Sequence, residues 1–308
     1  MRKHSHWNNL TSADKGASIA MGNFDGVHRG HQAVIDLARQ QNAPLGIVTF
    51  EPHPRQFFAP TAPTFRLMNA EARTHRLEKL GVKQLYELPF DATLAGMEAD
   101  EFVADVLVRG LGVTHVTVGA DFCFGKGRKG SAATLRQLAA EHGFGVTIAE
   151  LVSFDGTEIS STAIRRALSE GRPRDAAEML GHWHRIEGAV LHGDKRGKDL
   201  GFPTANMAVE GLHLPQLGVY AVKVDVLTGP HQGTYNGAAS LGVRPMFGEN
   251  KPNLESYLFD FDGNLYGEHL SVALIDYLRP EMKFDGLSGL IDQMHADCNR
   301  ARAILDAL

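Results

Sequence analysis

The apolar pattern of this chain changes in character about halfway along its 308 residues. Up to Glu150, short apolar runs alternate with amphipathic segments, which is typical of a parallel sheet with helices on both faces. From Arg185 onward the helical period is absent, and closely spaced β-like runs indicate an antiparallel barrel or sandwich. Because 308 residues also exceed the size at which one hydrophobic core keeps growing, we predict two domains. These are an α/β domain over residues 1–183 and a mainly β domain over residues 184–308.

The predicted elements follow from these periods. In the first half the predicted strands are Ser18–Met21, Pro44–Phe50, Gln84–Leu88, His115–Gly119 and Gly145–Glu150. The predicted helices there are Gln32–Gln41, Asn69–Leu80, Ala99–Gly110 and Ala132–His142, followed by one from Ser160 to Gly171 and one from Arg172 to Gly181. In the second half the predicted strands are Arg185–Leu191, Gly218–Val226, Gly233–Leu241, Leu254–Asp260 and Glu268–Leu278, with a closing helix over Leu287–Leu308.

Composition narrows the class of protein. A formal charge of −5 argues against a nucleic-acid-binding role, which needs a basic excess. Cys123 and Cys298 are far apart and in no metal-ligand spacing, so we expect reduced thiols in a cytoplasmic protein. The N-terminus lacks the apolar core of a signal peptide, and no apolar run reaches membrane-spanning length. We therefore expect no membrane partner, no nucleic-acid partner, and a monomer or weak homo-oligomer.

The segment from Gly22 to His31 combines glycines with two histidines between a predicted strand and a predicted helix. The free N–H groups and the positive dipole end of a helix N-terminus attract anions, and Gly30 leaves room for phosphate near the backbone. His28 and His31 are three residues apart, so on a helix they share one face and could stabilise charge during nucleotidyl transfer. The Asn and Asp side chains of the turn are expected to orient the ligand. Two surface histidines are the alternative interpretation, and a metal site would need a third ligand that the segment lacks.

A second candidate phosphate site lies at Ile159–Arg165, with the sequence Ile-Ser-Ser-Thr-Ala-Ile-Arg. Ser161 is predicted to be the N-cap of a helix. Arg165 lies one turn further on, so hydroxyls, free N–H groups and a guanidinium converge there. An ordinary helix cap is the alternative interpretation of the serines.

The two segments together resemble the signatures of the HxGH nucleotidyltransferases. This resemblance implies a Rossmann-like fold and the transfer of a nucleoside monophosphate from ATP to a phosphate-bearing acceptor. It also implies a set of ATP-binding residues drawn from both segments: Gly22, Asn23, Phe24, Asp25, His28, Gly30, His31, Ser160, Ser161, Thr162 and Arg165. Of these, the resemblance gives His28, His31 and Arg165 catalytic roles.

Two further segments, Thr49–Pro54 and Val118–Gly125, follow predicted strands at the ends where ligands bind in open α/β sheets. Both resemble the flavin-side segments of bacterial FAD synthetases, which implies three flavin-binding residues: His53, Asp121 and Phe124. His53 is alternatively a turn residue held between two prolines. Cys123 stands where the family more often has Arg, and we expect a small buried thiol there.

The second half has a dense motif of its own, His192 to Asn206, which contains three glycines and three basic residues. The glycines permit close approach of phosphate to the backbone, and Arg196 and Lys198 supply positive charge. Side chains alternate along an extended chain, so Thr204 and Asn206 point the same way, and their neutral oxygens suit Mg²⁺ together with phosphates and water. A solvated basic loop is the alternative interpretation.

This motif resembles the ATP and magnesium loop of riboflavin kinases, and further family motifs follow in order as far as Phe284. The resemblance implies that Glu255 is the base that takes the proton from the ribityl 5′-hydroxyl, and that Arg279 lies near the flavin or nucleotide. It also implies a set of ATP-binding residues in the loop: Gly193, Arg196, Lys198, Gly201, Phe202, Pro203, Thr204 and Asn206. Without these motifs, Glu255 would be interpreted as an edge-strand carboxylate and Arg279 as half of a structural ion pair. Met246 stands where the family usually has Thr.

The resemblance extends from about Lys15 to Leu305, and it identifies the chain as a member of the bacterial bifunctional riboflavin kinase/FMN adenylyltransferases. It implies that the C-terminal domain, a riboflavin-kinase barrel, phosphorylates riboflavin to FMN with ATP and Mg²⁺. The N-terminal domain would then transfer AMP from ATP to FMN, giving FAD and pyrophosphate. The alternative is a riboflavin kinase whose adenylyltransferase domain is weak or inactive. More distant alternatives are another HxGH adenylyltransferase and a non-catalytic flavin-binding protein.

Overall fold

The structure of the protein is a computed structural model that describes residues 1–150, 153–154, 157–192, 201–246 and 249–308. Contacts between residues divide the chain into two compact units. Unit 1 comprises Met1–Pro63 and Arg73–Ser160, and unit 2 comprises Thr64–Ala72 and Ser161–Leu308. Within the described part of the chain, every helix is too short or too polar to cross a lipid bilayer.

Unit 1 is built on a parallel sheet. Its strands are β1 (Arg2–His4), β2 (Ser18–Met21), β3 (Leu45–Glu51), β4 (Gln84–Pro89), β5 (His115–Gly119), β6 (Cys123–Phe124), β7 (Gly130–Ser131), β8 (Gly145–Ala149), β9 (Ser153–Phe154) and β10 (Thr157–Glu158). The parallel sheet has the order β1-β4-β3-β2-β5-β8, whereas β6 and β7 form one short antiparallel pair and β9 and β10 another. The strands expected in this half are present, and the polar strand β1 adds an edge that apolar periodicity did not predict.

Helices connect these strands. They are α1 (Arg29–Arg39), α2 (Pro54–Phe58), α3 (Ala70–Lys79), α4 (Ala92–Gly96), α5 (Ala99–Glu101), a π-helix (Phe102–Gly110) and α6 (Ala132–His142), with 3₁₀ turns at Ser12–Asp14 and Lys126–Arg128. The helix expected over residues 99–110 is present with these bounds. It starts as an α-helix and continues in the wider π form, which apolar spacing alone cannot distinguish.

Strand β2 shows how both faces of the sheet are covered. The Oγ of Ser18 donates to the carbonyl oxygen of Ala38 on α1, at 2.8 Å. The next residue, Ile19, points the other way, into a core that includes Phe102 of the π-helix and Leu135 of α6. Helices thus pack on opposite faces, as expected for a doubly wound α/β sheet.

Unit 2 is an antiparallel sheet with a C-terminal helix. Its helices are α7 (Ser161–Ser169), α8 (Pro173–Leu180) and α9 (Leu287–Asp306). Its strands are β11 (Arg185–Ala189), β12 (Ala205–Ala208), β13 (Gly218–Val226), β14 (Gly233–Met246), β15 (Glu249–Leu258) and β16 (His269–Arg279). The strand order is β11-β16-β13-β14-β15-β12, and every pairing is antiparallel.

This sheet curls almost into a barrel. Leu191, just after β11, forms an antiparallel bridge with Asn206 on β12, and its N–H donates to the Asn206 carbonyl oxygen at 2.8 Å. The two ends of the strand order are thereby brought together. Val222 and Leu254 lie in the apolar interior, while Ala301 of α9 packs in a separate apolar cluster beside the sheet. The predicted antiparallel barrel with a closing helix is confirmed.

Part of unit 2 comes from the first half of the sequence. Arg66 forms a parallel bridge with Leu212, and the Nδ2 of Asn69 donates to the Glu187 carbonyl oxygen at 2.9 Å. His184 is buried, and its Nε2–H donates to the Leu67 carbonyl oxygen at 3.0 Å. Residues 64–72 therefore stabilise a unit that otherwise begins almost a hundred residues later, at Ser161.

Candidate functional site

The turn that joins β2 to α1 has a strained backbone. Phe24 and Val27 have φ angles of 51° and 43°, and Gly26 between them has a φ of 85°. Left-handed φ values are rare for residues with a side chain, and rarest for β-branched residues such as Val27. Both side chains are fully buried, with exposures of 1 % for Phe24 and 0 % for Val27. Apolar burial thus holds a conformation that the backbone alone disfavours.

The same turn is anchored to the ends of neighbouring strands. The carbonyl oxygen of Asn23 accepts hydrogen bonds from Thr49 Oγ1, at 3.2 Å, and from an Arg73 guanidinium nitrogen, at 3.4 Å. Arg73 is 1 % exposed, and its other terminal nitrogen lies 2.9 Å from Glu51 and 2.6 Å from Glu87. A buried arginine between two carboxylates therefore fixes the turn relative to β3 and β4. The motifs did not indicate Arg73, because nothing in its own neighbourhood of the sequence points to these partners.

His28 is the N-cap of α1, and this role assigns its tautomer. Its Nδ1 accepts a hydrogen bond from the backbone N–H of His31 at 3.3 Å. Because Nδ1 is an acceptor, the proton of the neutral ring must be on Nε2. His28 therefore has a donor on the side of the ring away from the helix cap.

His31 stacks on His28, with ring centroids 3.6 Å apart and an angle of 16° between the planes. Burial, and then the proximity of the His28 ring, hold the pKa of His31 well below its usual range. The Nδ1 of His31 is buried and has no hydrogen-bond partner among the residues that the structure describes. The geometry confirms that the two histidines share one face, and it leaves a buried polar atom available to a ligand.

Gly30 is needed beside these rings for steric reasons. A Cβ atom at this position would lie 3.2 Å from Cε1 and Nδ1 of His28 and 3.8 Å from the Ile159 carbonyl oxygen. The first two distances are tighter than normal contacts, so a side chain here would displace the His28 ring. Gly30 thus accommodates His28, in addition to the phosphate approach expected from the sequence.

Helix α7 begins at Ser161, one residue after the helix start predicted at Ser160. The N-cap position therefore falls at Ser160, one residue before the predicted cap at Ser161. Arg165 donates to the Phe65 carbonyl oxygen at 3.3 Å and to Thr162 Oγ1 at 3.2 Å. Thr162 and Arg165 are therefore in contact, as predicted from their spacing.

The predicted flavin-side residues differ in exposure. His53 is the N-cap of α2, where its Nδ1 accepts from the Arg55 N–H at 3.0 Å, and Asp121 is exposed. Phe124 is 8 % exposed and packs in the apolar core, 5.7 Å from the Phe122 ring. The expectation of a buried thiol at Cys123 is wrong. Its side chain is exposed, since successive residues of β6 face opposite sides and Phe124 takes the inner one.

In unit 2 the pairing of β12 with β15 brings the predicted kinase residues together. Asn206 lies directly opposite Glu255 in the antiparallel register. The Nδ2 of Asn206 donates to the Thr204 carbonyl oxygen at 3.3 Å and is 3.5 Å from Thr204 Oγ1. Thr204, Asn206 and Glu255 are therefore neighbours, although about fifty residues separate the first two from the third.

The loop before β12 is described only in part. Gly193, Arg196 and Lys198 lie outside the described residues. Gly201 and Pro203 are exposed, whereas Phe202 is 5 % exposed and makes edge contacts with the rings of Tyr257, at 5.3 Å, and His295, at 5.0 Å. Phe202 thus packs in an aromatic cluster just before β12. Met246, which departs from the family pattern, pairs with Glu249 at the end of β14.

Thr204 and Asn206 fit a magnesium ion by their chemistry. Hydroxyl and amide oxygens are hard, neutral ligands, and Mg²⁺ usually takes few protein ligands and completes its shell with phosphates and water. No group of three His, Cys, Asp or Glu side chains that could hold a metal occurs in the described part of the chain. The donor set is therefore one that would bind the ion together with a nucleotide.

Arg279 is held by Asp297 on α9. Its Nε lies 3.0 and 2.9 Å from the two carboxylate oxygens, and one terminal nitrogen lies 2.7 Å from Oδ2. The guanidinium carbon is also 5.8 Å from the centre of the Phe284 ring. The structural ion pair considered as an alternative in the sequence is thus present, and contact with a flavin or nucleotide stays a prediction.

Comparison with protein families gives two matches that together span most of the chain. The model described as FAD synthetase matches residues 10–163, and the model described as riboflavin kinase matches residues 180–305. Curated relatives named bifunctional riboflavin kinase/FMN adenylyltransferase are similar over nearly the whole length. The Pseudomonas fluorescens protein is 41% identical and the Escherichia coli strain K12 protein 37% identical, each over 96% of this chain and 95% of its own.

The fold also matches a solved structure over nearly its whole length. A Streptococcus pneumoniae protein, named a macrolide-efflux protein, is 30% identical, with a TM-score of 0.81 and 96% of each chain covered. This likeness includes both units of the present chain.

Proposed function

This chain belongs to the bifunctional riboflavin kinase/FMN adenylyltransferases, since it carries a FAD synthetase domain and a riboflavin kinase domain on one polypeptide, and from this premise we propose how its residues perform the two reactions. The reactions are the ATP-dependent phosphorylation of riboflavin to FMN and the adenylylation of FMN to FAD with release of pyrophosphate. The presence of both domains favours two activities over the alternative of a kinase with an inactive adenylyltransferase domain. We place the functional boundary between residues 183 and 184.

For AMP transfer, His28 and His31 stabilise the negative charge that develops on the phosphates of ATP. The Nε2–H of His28 is a donor, and the neutral, buried His31 ring has an Nδ1 without a protein partner among the described residues. The phosphate of FMN is already a nucleophile at neutral pH, so the reaction needs alignment and charge stabilisation rather than a base.

Other residues in this reaction are proposed from the family signatures. The second signature supplies four further ATP-binding residues, namely Ser160, Ser161, Thr162 and Arg165. The turn of the first signature supplies Gly22, Asn23, Phe24 and Asp25. His53, Asp121 and Phe124 are proposed on the flavin side, and the core position of Phe124 makes it the least accessible of the three.

For phosphorylation of riboflavin, Glu255 takes the proton from the ribityl 5′-hydroxyl as the γ-phosphoryl group is transferred. The observation that carries this proposal is the register that sets Glu255 opposite Asn206. Thr204 and Asn206 would hold Mg²⁺, which when bound offsets the charge of the ATP phosphates. Gly193, Arg196, Lys198, Gly201, Phe202 and Pro203 are proposed on family grounds to surround the nucleotide, and Arg279 to lie near it.

The test compares Glu255→Gln with a matched carboxylate variant, Glu210→Gln. Glu210 is exposed and belongs to the same unit. With riboflavin, ATP and Mg²⁺ as substrates and chromatographic separation of flavins, Glu255→Gln should lose at least about 100-fold in FMN formation. Glu210→Gln should match the unmodified protein. FAD formation from added FMN should be unchanged in both, and near-normal FMN formation by Glu255→Gln would contradict the assignment of the base.

We further propose that the protein acts in the cytoplasm on small-molecule substrates, as a monomer or weak homo-oligomer. Both cysteines are free, which fits a reducing compartment. Light scattering during size-exclusion chromatography measures the oligomeric state directly.

A further inference from the structure

Asn253 connects the proposed base and the proposed metal ligand of the kinase unit, although no sequence motif includes it. Its side chain is 3 % exposed. Its Nδ2 lies 3.1 Å from Oε1 of Glu255 and 3.5 Å from Oδ1 of Asn206. The three residues belong to the paired strands β12 and β15, where Asn206 is opposite Glu255 and Asn253 is opposite Ala208. One buried amide nitrogen therefore bridges two side chains with different proposed roles.

The charge of Glu255 determines how the two amides are oriented. An ionised carboxylate only accepts hydrogen bonds, so Asn253 must direct its NH₂ group rather than its oxygen toward Glu255. The second hydrogen of that NH₂ group is then available to Asn206, which must present its carbonyl oxygen. The NH₂ group of Asn206 consequently faces Thr204, in agreement with the distances of 3.3 and 3.5 Å to its carbonyl and hydroxyl oxygens. A flipped amide at either position would break this directed series of hydrogen bonds.

We propose that Asn253 is a positioning residue for phosphoryl transfer to riboflavin, which holds the Glu255 carboxylate and aims Oδ1 of Asn206. This inference rests on the roles proposed above for Glu255 and Asn206. A carbonyl oxygen has two lone pairs, so Oδ1 of Asn206 can accept from Asn253 and still bind a cation.

The neutrality of Asn253 matters to the same mechanism. A lysine or arginine beside Glu255 would also orient its carboxylate, but a positive charge would make that carboxylate a weaker base. The Asn253 amide adds a hydrogen bond to the Glu255 carboxylate and brings no positive charge of its own.

The primary experiment is a double-mutant cycle in the full-length protein. Asn253→Ala should lower kcat for FMN formation by about tenfold to a hundredfold, with a much smaller change in KM for riboflavin. In a Glu255→Gln background the same substitution should lower kcat less than about threefold, because the carboxylate that Asn253 holds has then been replaced by an amide. Equal losses in both backgrounds would indicate a merely structural role and overturn the inference.

The cycle also separates this inference from the proposed function. If Glu255→Gln is impaired and Asn253→Ala has normal kcat, the positioning role is overturned while Glu255 stands as the base. If Glu255→Gln has near-normal activity, the base assignment itself is overturned, and the positioning role with it.

Two additional variants control for effects on folding. Ser256 is the neighbour of Glu255 on the opposite side of β15, and its buried Oγ has no hydrogen-bond partner among the described residues. Ser256→Ala should therefore leave kcat unchanged. If Asn253→Ala does not fold, the isosteric Asn253→Asp keeps the side-chain volume while losing both donated hydrogens. It should lose at least as much kcat as Asn253→Ala, and a folded Asn253→Asp protein with normal kcat overturns the inference.

Discussion

The rings of His28 and His31 lie face to face, 3.6 Å apart, and each constrains the chemistry of the other. His28 accepts a hydrogen bond from the backbone of His31, which keeps the proton of its ring on Nε2. Burial, together with the positive charge that His28 would carry if protonated, lowers the pKa of His31. His31 is therefore expected to act as a neutral hydrogen-bonding group near pH 7 rather than as a cation.

Removal of the His28 ring should impair FAD formation and leave FMN formation unchanged. We expect His28→Ala to lower FAD formation from FMN by about 100-fold or more, because it removes a preorganised donor to the ATP phosphates. FMN formation from riboflavin should be unchanged, since its proposed residues belong to unit 2. Both rates can be measured by separating flavins after incubation with ATP and Mg²⁺. Loss of both activities in a folded His28→Ala protein would contradict the assignment of two separate sites.

A smaller change beside the His28 ring should lower FAD formation less than His28→Ala does. In Gly30→Ala the new methyl group lies 3.2 Å from the His28 ring, which must shift by a few tenths of an ångström. We expect FAD formation to fall about tenfold through misalignment, with normal FMN formation. Gly96→Ala is the matched control, since a Cβ there meets no atom of the described residues within 4 Å. Equal effects of the two substitutions on FAD formation would contradict the steric explanation.

Removal of the buried guanidinium should destabilise unit 1. Arg73→Met leaves the carboxylates of Glu51 and Glu87 without their buried partner, so the free energy of unfolding should fall by about 3 kcal/mol. Arg109→Met removes an exposed ion pair with Asp105 and should change it by no more than about 0.5 kcal/mol. Urea unfolding followed by Trp7 fluorescence, in a Trp183→Phe background, reports on this unit. Similar effects of the two substitutions would show that burial of Arg73 is not decisive.

Acid should destabilise unit 2 through His184. Burial lowers the pKa of this histidine to about 4, from a usual value of 6.5. Between these two pH values the unfolded chain binds a proton that the folded protein does not. Acidification therefore lowers the free energy of unfolding, by about 3 kcal/mol across this range. This contribution to stability is fully present above pH 6.5 and is lost as the pH falls toward 4.

The variant His184→Gln should make that pH dependence shallower, because its side chain does not titrate. The exposed His192→Gln serves as the control and should retain the steeper dependence. Urea unfolding at several pH values, followed by Trp183 fluorescence in a Trp7→Phe background, measures both slopes. Identical slopes in the two variants would exclude His184 as the source.

Much of the fold could be predicted because buried runs leave a clear period in the sequence. The bounds of β2, β5 and β13 match the predicted strands, and each is rich in buried apolar residues. Strand β1, Arg2–His4, has no such run, and its place in the sheet depends on pairing with a strand eighty residues away. The left-handed φ values at Phe24 and Val27 could not be predicted from the sequence either, because they are stabilised by packing against residues that are distant in the sequence.

The candidate sites also combine features that local spacing predicts with features that depend on tertiary contacts. Spacing alone predicted that His28 and His31 share a face, and that Thr204 and Asn206 are neighbours. Arg73 could not be found in this way, since its partners come from three separate segments. The sequence did contain an indication of the role of Asn253. Asn253 stands two residues before Glu255, and side chains two residues apart in a strand lie on one face.

The segment from Thr64 to Ala72 bears on how this protein can be divided. A recombinant fragment that begins at residue 184 would contain all the strands of the barrel, yet it would lack the Leu67 carbonyl to which the buried His184 donates. It would also lack Arg66 and Asn69, which bond to the same unit from the first half of the sequence. The boundary that we propose in the sequence, between residues 183 and 184, therefore differs from the physical boundary of unit 2. A fragment cut at that position would lack residues that pack into its own fold.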